Sequence, residues 1–268
     1  SISNNDVDGL LGALIGSESP VEDYRRGVHA ILDLRPGVLA QNVGWPDPVS
    51  YHSCVATNVT KYLVEATSLM ADPVISVETA SRRAGVLAAI LDEETDPLQL
   101  TIEASRARGI PLVASFRMND EHWWECQHLL SDFGREHPDW RIPFPDVERE
   151  LLLADGIVVP ELTGSMDPAV PGVYEHRMRM FTEVAEKYDI DGIELDFRRW
   201  CHLVSNPLKN HPVLTQMVRD TRNMLDEVAR TKNRGRMLLG VRVAPSLDTE
   251  PNYFVYPGSG TPIAPHLY

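Results

Sequence analysis

Apolar residues recur along the chain in two alternating patterns, one with a helical period and one with the alternation of a strand. The helical period covers residues 21–32, 174–188 and 214–228, and a further helix is predicted between an N-cap at Asp96 and a C-cap at Gly109. Each helix is followed by a short apolar run, and these runs predict strands at 38–43, 110–116, 190–197 and 237–243, with a first strand at 1–5. The first long helix also carries a capping-box pattern, Ser19 to Glu22, with Pro20 at its first position.

The resulting order, β-α-β-α-β-α-β-α-β, predicts an α/β fold with a parallel sheet and right-handed crossovers. Two architectures fit this order, a (β/α)8 TIM-like barrel and an open doubly wound sheet. The open sheet usually carries a glycine-rich phosphate turn after its first strand, and residues 9–16 lack that spacing. Polar residues lie at the C-terminal end of nearly every predicted strand, where barrel enzymes build their sites. The barrel is therefore the favoured architecture.

The chain is expected to form a single (β/α) barrel domain over residues 1–268, with long insertions at about 44–94 and 120–172. The first insertion contains a predicted helical stretch near 59–70, and the second is rich in Trp, His and Pro. Loops this long usually act as lids or binding loops, although they can also simply cover the barrel. About five strand–helix units are recognisable, so we expect either a fragment or a barrel whose last units lack periodicity.

The composition narrows the class of partner. A formal net charge of −14 argues against a surface for nucleic acid or anionic membranes, and no apolar run approaches the roughly 18 residues of a membrane span. Cys54, Cys126 and Cys201 are widely spaced and fit neither a zinc nor a disulfide pattern, so we expect buried thiols. No metal or cofactor is expected, because the spacing of His122 and His128 is a weak signal and HExxH is absent.

The segment DIDGIELDF, residues 189–197, carries the strongest chemical signal. Strand alternation places its apolar side chains on one face and Glu194 and Asp196 together on the other. A parallel strand is normally covered on both faces, where an unpaired charge is costly. Glycoside hydrolysis needs two carboxyl groups, one acid and one nucleophile or base. The pair is therefore the predicted catalytic site, with Asp196 nearer the strand end and in direct contact with substrate.

Polar and aromatic residues at the other strand ends complete a predicted mouth. Guanidinium, carboxylate and amide groups can hold sugar hydroxyls in pairs of hydrogen bonds, and indoles can stack on sugar rings. Trp124 and Trp200 are either such platforms or structural anchors. The predicted substrate-binding residues are Asn5, Asp6, Asn42, Trp45, Arg117, Asn119, Asp120, His122, Trp123, Arg198 and Arg242.

The arginines also permit a purely structural interpretation. Arg117 and Arg242 lie on the strands predicted to flank the carboxylate pair, so both could reach Glu194 and Asp196. Such a network would keep the carboxylates ionised without any catalysis. Catalysis and a structural network therefore both remain open at this point.

Two of these segments carry a family resemblance. SFRMND at 115–120, paired with IDGIELDF at 190–197, resembles a group of bacterial glycoside-hydrolase-like barrel proteins. NND at 4–6 and VRV at 241–243 resemble the first and fifth strand ends of that group. The resemblance covers most of the chain and implies a TIM barrel that hydrolyses a glycosidic bond. The fourth strand is also similar to the DGxDxDxE strand of chitinase-like barrels, but Arg198 replaces the final, catalytic Glu, which counts against chitinase chemistry.

The leading hypothesis is thus a glycoside hydrolase acting on a polysaccharide or oligosaccharide, with an anionic glycan suggested by the arginines at the mouth. The alternative is a non-catalytic carbohydrate-binding barrel. A lyase or aldolase is the third hypothesis, and the aldolase is disfavoured because no predicted strand offers a lysine for a Schiff base. Carbohydrate is the expected partner, and a periplasmic or secreted location is favoured because polysaccharide hydrolases usually work outside the cytoplasm.

Overall fold

The computed structural model describes residues 2–45, 48–68, 76–120, 122–124, 126–143, 162–198 and 202–243. Five parallel strands form its main sheet, in the order β1-β2-β3-β6-β7, and an antiparallel pair forms a second, two-stranded sheet. The strands are β1 (Ile2–Asn5), β2 (Val38–Asn42), β3 (Leu112–Arg117), β4 (Arg141–Pro143), β5 (Leu162–Met166), β6 (Gly192–Asp196) and β7 (Leu238–Arg242).

The main sheet grows in one direction along the chain, because each new strand adds to the same edge. The described strands show no reversal of order, which is the feature that creates the binding crevice of a doubly wound sheet. β1 and β7 are the two edges of the described sheet. The structure therefore establishes a mixed α/β fold built on a five-stranded parallel sheet.

The helices that connect these strands begin at recognisable signals. Asp96 accepts a hydrogen bond from the Gln99 amide at 2.8 Å, and Gly109 ends the same helix with φ 64°. Ser19 makes no side-chain cap bond, so Pro20 is the feature that fits the start of its helix. The helices are α1 (Val7–Ala13), α2 (Pro20–Leu32), α3 (Val77–Leu91), α4 (Pro97–Arg108), α5 (Asp132–Glu136), α6 (Pro171–Lys187), α7 (Pro207–Asn210) and α8 (Pro212–Thr231).

The five predicted strands and four predicted long helices are all present, with ends that differ by only a few residues. The predicted helix near 59–70 is wrong: within the described part of that range there is only a 3-10 turn, Leu63–Glu65. Sequence patterns also missed α1 and α3. The first is seven residues long and contains two glycines, and the second begins where the Ser76 hydroxyl accepts from the Thr79 amide at 3.1 Å.

The two faces of the main sheet differ as the strand alternation predicts. One face is apolar, and its residues join a continuous core with the helices; this core includes Leu39, Leu112, Phe116, Ile193, Leu195, Tyr24, Val28, Phe181, Val184, Met217 and Leu225. Each such side chain contributes about 1.5–3 kcal/mol by its burial. The other face carries polar residues along three adjacent strands, and this face positions the site described below.

Two further predictions concern partners and cysteines. Among the described helices, none combines the length and hydropathy needed to cross a membrane. Cys126 is buried as expected, but Cys54 is exposed, because it lies in the surface loop after β2. Cys201 lies outside the described residues, as does Trp200.

Candidate functional site

Glu194 and Asp196 lie next to each other on the polar face of β6, and we call them the β6 pair. Ser115 on β3 donates its hydroxyl to Glu194 Oε2 at 2.7 Å. Arg242 on β7 donates to both Glu194 oxygens, at 2.9 and 2.8 Å from Nη2, and reaches Asp196 Oδ2 at 3.3 Å from Nη1. Strand register explains these contacts, because Ser115 pairs with Glu194 and Arg242 pairs with Asp196. Side chains from the two neighbouring strands therefore hold the two carboxylates in place.

The β6 pair is buried, and a small residue makes its packing possible. Glu194 is 6% exposed and Asp196 4% exposed, so both need charge partners. Gly240 lies opposite Glu194, and a Cβ there would approach Glu194 Cγ to 3.3 Å. The glycine leaves room for the glutamate side chain beside β7. Asp196 also accepts the backbone amide of Arg198 at 3.0 Å, whereas the Arg198 side chain is exposed.

The Arg117 side chain does not make the contact that the sequence suggested, an ion pair with Glu194 or Asp196. Its Cα pairs with Asp196, but the guanidinium contacts Asp6 Oδ2 at 2.7 Å and Asp120 Oδ2 at 3.1 Å, with Asp8 Oδ2 at 3.7 Å. Within the described residues it forms no ion pair with the β6 pair. We call these four residues the Arg117 cluster. Three carboxylates thus face one guanidinium at the ends of β1 and β3.

Asp8 is the unusual member of the Arg117 cluster. It lies in the first turn of α1, where its Oδ2 accepts the indole N–H of Trp45 at 3.1 Å. Burial raises the pKa of its carboxyl to about 6, and the nearby charge of Asp6 adds to that rise, while Arg117 opposes it. A substantial fraction of Asp8 is therefore protonated in mildly acidic solution, as a proton donor requires.

Several other predicted site residues lie at the same end of the sheet. Asp6 caps α1 by accepting the Asp8 amide at 3.2 Å, and Asp120 Oδ1 accepts the His122 amide at 3.0 Å. His122 is half-buried, with its Nε2 3.9 Å from Asp120 Oδ1. Asn119 is buried beside them at the end of β3. The structure thus places these residues around Arg117.

Three further predicted residues, Asn42, Trp123 and Asn5, make contacts outside the β6 pair and the Arg117 cluster. Asn42 is buried and donates to the Gly44 carbonyl at 3.1 Å. Trp123 is half-buried, and the Arg141 guanidinium lies 4.6 Å from its ring centre. Asn5 lies on the opposite, helix-covered face, where it donates to Gln41 Oε1 at 2.6 Å. Asn5 is therefore separated from the polar face by the sheet itself.

Sequence reasoning missed Asp8 and Ser115 as members of the site. Ser115 could have been found, since alternation along β3 places it on the face of Arg117. Asp8 had a weaker signal, its position two residues after Asp6. The described residues contain no group of three or more His, Cys, Asp or Glu side chains arranged to hold a metal ion.

No family model matches the chain, and no curated protein matches its sequence. Partial structural matches include alpha-L-fucosidase isoenzyme 2 from Paenibacillus thiaminolyticus, with a TM-score of 0.42, 14% identity, and coverage of 82% of this chain and 29% of that one.

Two further matches are a noncanonic maltogenic alpha-amylase from Thermotoga neapolitana and a cycloisomaltooligosaccharide glucanotransferase from Paenibacillus sp.. The amylase has a TM-score of 0.45 at 10% identity, over 90% of this chain and 44% of its own. The glucanotransferase has a TM-score of 0.43 at 9% identity, over 84% of this chain and 28% of its own. The chain spans less than half the length of all three proteins. At these TM-scores the matches carry no argument about its activity.

Proposed function

We propose that this chain is a glycoside hydrolase whose site lies at the C-terminal ends of the strands of the five-stranded sheet. The observation that carries the proposal is the presence there of two acidic groups in opposite electrostatic settings. The two carboxylates of the β6 pair share Arg242, whereas Asp8 shares Arg117 with two other carboxylates and its pKa is raised by burial. Hydrolysis of a glycosidic bond requires such a difference, with one carboxyl ionised and another protonated.

Asp196 is the proposed nucleophile or base. It is the last residue of β6, and its Oδ2 is held by Arg242 while Oδ1 accepts a backbone amide. These bonds fix the carboxylate in one orientation. Depending on the reaction geometry, it would attack the anomeric carbon directly or deprotonate a water.

Glu194 is proposed as a positioning residue. It holds the terminal nitrogen Nη2 of Arg242 with both oxygens, and Ser115 fixes its rotamer. Arg242 in turn orients Asp196. Loss of Glu194 would therefore act on the reaction through Asp196.

Asp8 is the proposed general acid. Its pKa of about 6 results from burial and from Asp6, and its hydrogen bond from Trp45 fixes one oxygen. Arg117 has its backbone beside Asp196 and its guanidinium 3.7 Å from Asp8, so the two carboxyl groups flank this residue. The proposed proton donor, on α1, and the proposed nucleophile or base, on β6, thus both lie near the C-terminal ends of the strands.

The proposal includes a barrel architecture. Sequential addition of parallel strands at one edge is the way a (β/α)8 barrel is assembled, and the polar face of the sheet would then line its interior. A carbohydrate-binding barrel without hydrolysis is the second candidate, favoured by the fact that both carboxylates of the β6 pair form ion pairs with Arg242.

The experiment is reducing-end release from a panel of neutral and anionic polysaccharides. We expect release by the wild type and a loss of about a hundredfold or more in Asp196→Asn, the scale for removing an acid or base. Asp139→Asn is the matched control, because Asp139 is exposed. Binding without release by the wild type would favour the carbohydrate-binding candidate and contradict the hydrolase.

A second substrate separates the roles of the two aspartates. An aryl glycoside with a nitrophenolate leaving group needs little protonation, whereas a sugar leaving group needs much. Asp8→Asn should therefore lose far more activity on the natural linkage than on the aryl glycoside, while Asp196→Asn should lose activity on both. Equal losses for Asp8→Asn on both substrates would contradict its role as the acid.

A further inference from the structure

A pocket behind the Arg117 cluster contains polar groups that the proposed hydrolysis does not use. It lies between α1, α3 and the residues His122, Cys126, His128 and Leu129, and Asp8 and Trp45 form the wall shared with the cluster. Leu11 and Leu87 are among its apolar lining residues, and Arg83 and His128 are among its polar ones. The pocket has a volume of about 40 Å³, so it has room for a carboxylate group but not for a whole sugar ring.

Arg83 has no charge partner in the described part of the chain. Its Nε is fully buried without a hydrogen bond, although the neighbouring Arg82 pairs with Glu78 at 2.7 Å. The guanidinium packs on Gly12 of α1, where a Cβ would approach Nε to 3.1 Å. The glycine thus leaves space for a guanidinium at the pocket wall. A partly buried cation without an anion is costly, and Arg is well suited to pairing with carboxylates.

His128 is a second polar side chain without a partner in the described residues. It is 2% exposed, and its Nδ1 is buried without a hydrogen bond. Burial lowers the pKa of the imidazole to about 4, so it is neutral at pH 7. A neutral imidazole can still donate one N–H bond. Leaving such a group unsatisfied is costly, and a ligand in the pocket would recover that cost.

We propose that this pocket binds the carboxylate group of a ligand, with Arg83 as its ion-pair partner and His128 as a hydrogen-bond donor, while the rest of the ligand lies outside the pocket. The carboxylate could come from a uronate unit of a glycan or from a free small carboxylic acid. The uronate source would deepen the proposed function by making the substrate an anionic glycan. The binding site itself rests on its own residues and not on hydrolysis.

Binding in this pocket should depend on pH, because Asp8 is part of its lining. The charged or titratable groups facing Asp8 are Asp6, Asp120, Arg117 and His122. A bound carboxylate would add another negative charge next to Asp8 and favour the protonated form of that residue. Binding should therefore take up a proton, and the affinity should fall by up to about tenfold per pH unit above pH 6.

The test is calorimetric binding to the full chain carrying Asp196→Asn, which disables the proposed hydrolysis but leaves the pocket intact. The probes are an oligogalacturonate, a neutral oligosaccharide of matched length, and sodium acetate, each at pH 5.5 and pH 7.5. We expect a carboxylate probe to bind more tightly at pH 5.5 and the neutral oligosaccharide not to bind in this pocket. Oligogalacturonate binding without acetate binding identifies the glycan source, and acetate binding identifies the free acid.

Arg83→Met and Arg82→Met form a matched pair of variants on one helix. Arg83→Met should weaken carboxylate binding at least tenfold, whereas Arg82→Met, at a 60% exposed position, should leave it unchanged. Asp8→Asn provides a second test and should remove the loss of affinity between pH 5.5 and pH 7.5. Equal binding by the two arginine variants, or no binding of any carboxylate probe at pH 5.5, would overturn the proposal. Absence of sugar release by the wild type would overturn the hydrolase alone.

Discussion

The β6 pair and the Arg117 cluster both contain carboxylates and one guanidinium, and both lie near the C-terminal ends of the strands. Their charges are nevertheless balanced differently. In the β6 pair, two carboxylates share Arg242 and a serine hydroxyl. In the Arg117 cluster, three carboxylates share one guanidinium, and the pKa of Asp8 rises to about 6. Burial, together with the excess of carboxylates over guanidinium groups, thus raises the pKa of Asp8 above its ordinary range.

This difference gives each group a separate task in the proposed reaction. The β6 pair is held rigidly as a charged group, which suits attack or water activation. Asp8 is held at a pKa between its ordinary range and neutrality, which suits proton donation. Substitutions in either group change its charge balance and therefore test these two roles.

The largest expected effect on stability follows from removing the cation of the β6 pair. Arg242→Met leaves two buried carboxylates without their counter-ion, so the free energy of unfolding in urea at pH 7 should fall by about 3 kcal/mol or more. Arg236→Met is the control, since this side chain is 72% exposed in a surface ion pair worth at most about 1 kcal/mol.

A loss for Arg242→Met no larger than that for Arg236→Met would contradict the view that the β6 pair depends on Arg242 as its counter-ion.

The next effect concerns the Arg117 cluster. Because the pKa of Asp8 is raised on folding, the folded state holds the proton more tightly, and stability falls as pH rises from about 4 through about 6. Asp8→Asn removes this cost while retaining similar shape. The variant should therefore gain about 2–3 kcal/mol relative to wild type between pH 4 and pH 8. Urea unfolding at both pH values measures the gain.

Asp139→Asn should show no comparable change between the two pH values, because Asp139 is exposed. A constant difference between Asp8→Asn and wild type from pH 4 to pH 8 would show that Asp8 does not carry the strained charge of its cluster.

The smallest expected effect concerns the hydroxyl that supports the β6 pair. Ser115→Ala removes a hydrogen bond to a buried carboxylate and should cost about 1.5–3 kcal/mol, near the lower end because Arg242 remains. Ser105 is equally buried, but its hydroxyl has no hydrogen-bond partner in the described structure, so Ser105→Ala should be neutral or stabilising. Equal costs for the two serine variants in urea unfolding would show that the Ser115 bond contributes nothing specific.

Strand alternation was sufficient to predict part of this site. It placed Glu194 and Asp196 on one face, and the order of elements placed Arg242 on a neighbouring strand. These features depend on local periodicity and on the pairing of consecutive strands, both of which are visible in a single sequence.

The rest of the site depends on contacts that have no period. Arg117 turns toward Asp6 and Asp8 because the loop after β1 brings three carboxylates near it, and the sequence shows no spacing that distinguishes this from a contact with Asp196. Arg83 and His128 come from the two different insertions, and both line the same pocket. Their lack of partners is a property of packing, so only the structure could reveal it.

The central claim is that Asp8 holds its proton to a higher pH than an ordinary carboxyl. The most direct measurement is a titration of aspartate side-chain carboxyl carbons by NMR, in wild type and Asp8→Asn. The account predicts one wild-type resonance with a midpoint near pH 6 that is absent from Asp8→Asn. If no resonance has a midpoint near pH 6, or if that resonance persists in Asp8→Asn, then Asp8 is not the acid and the division between the two carboxylate groups is wrong.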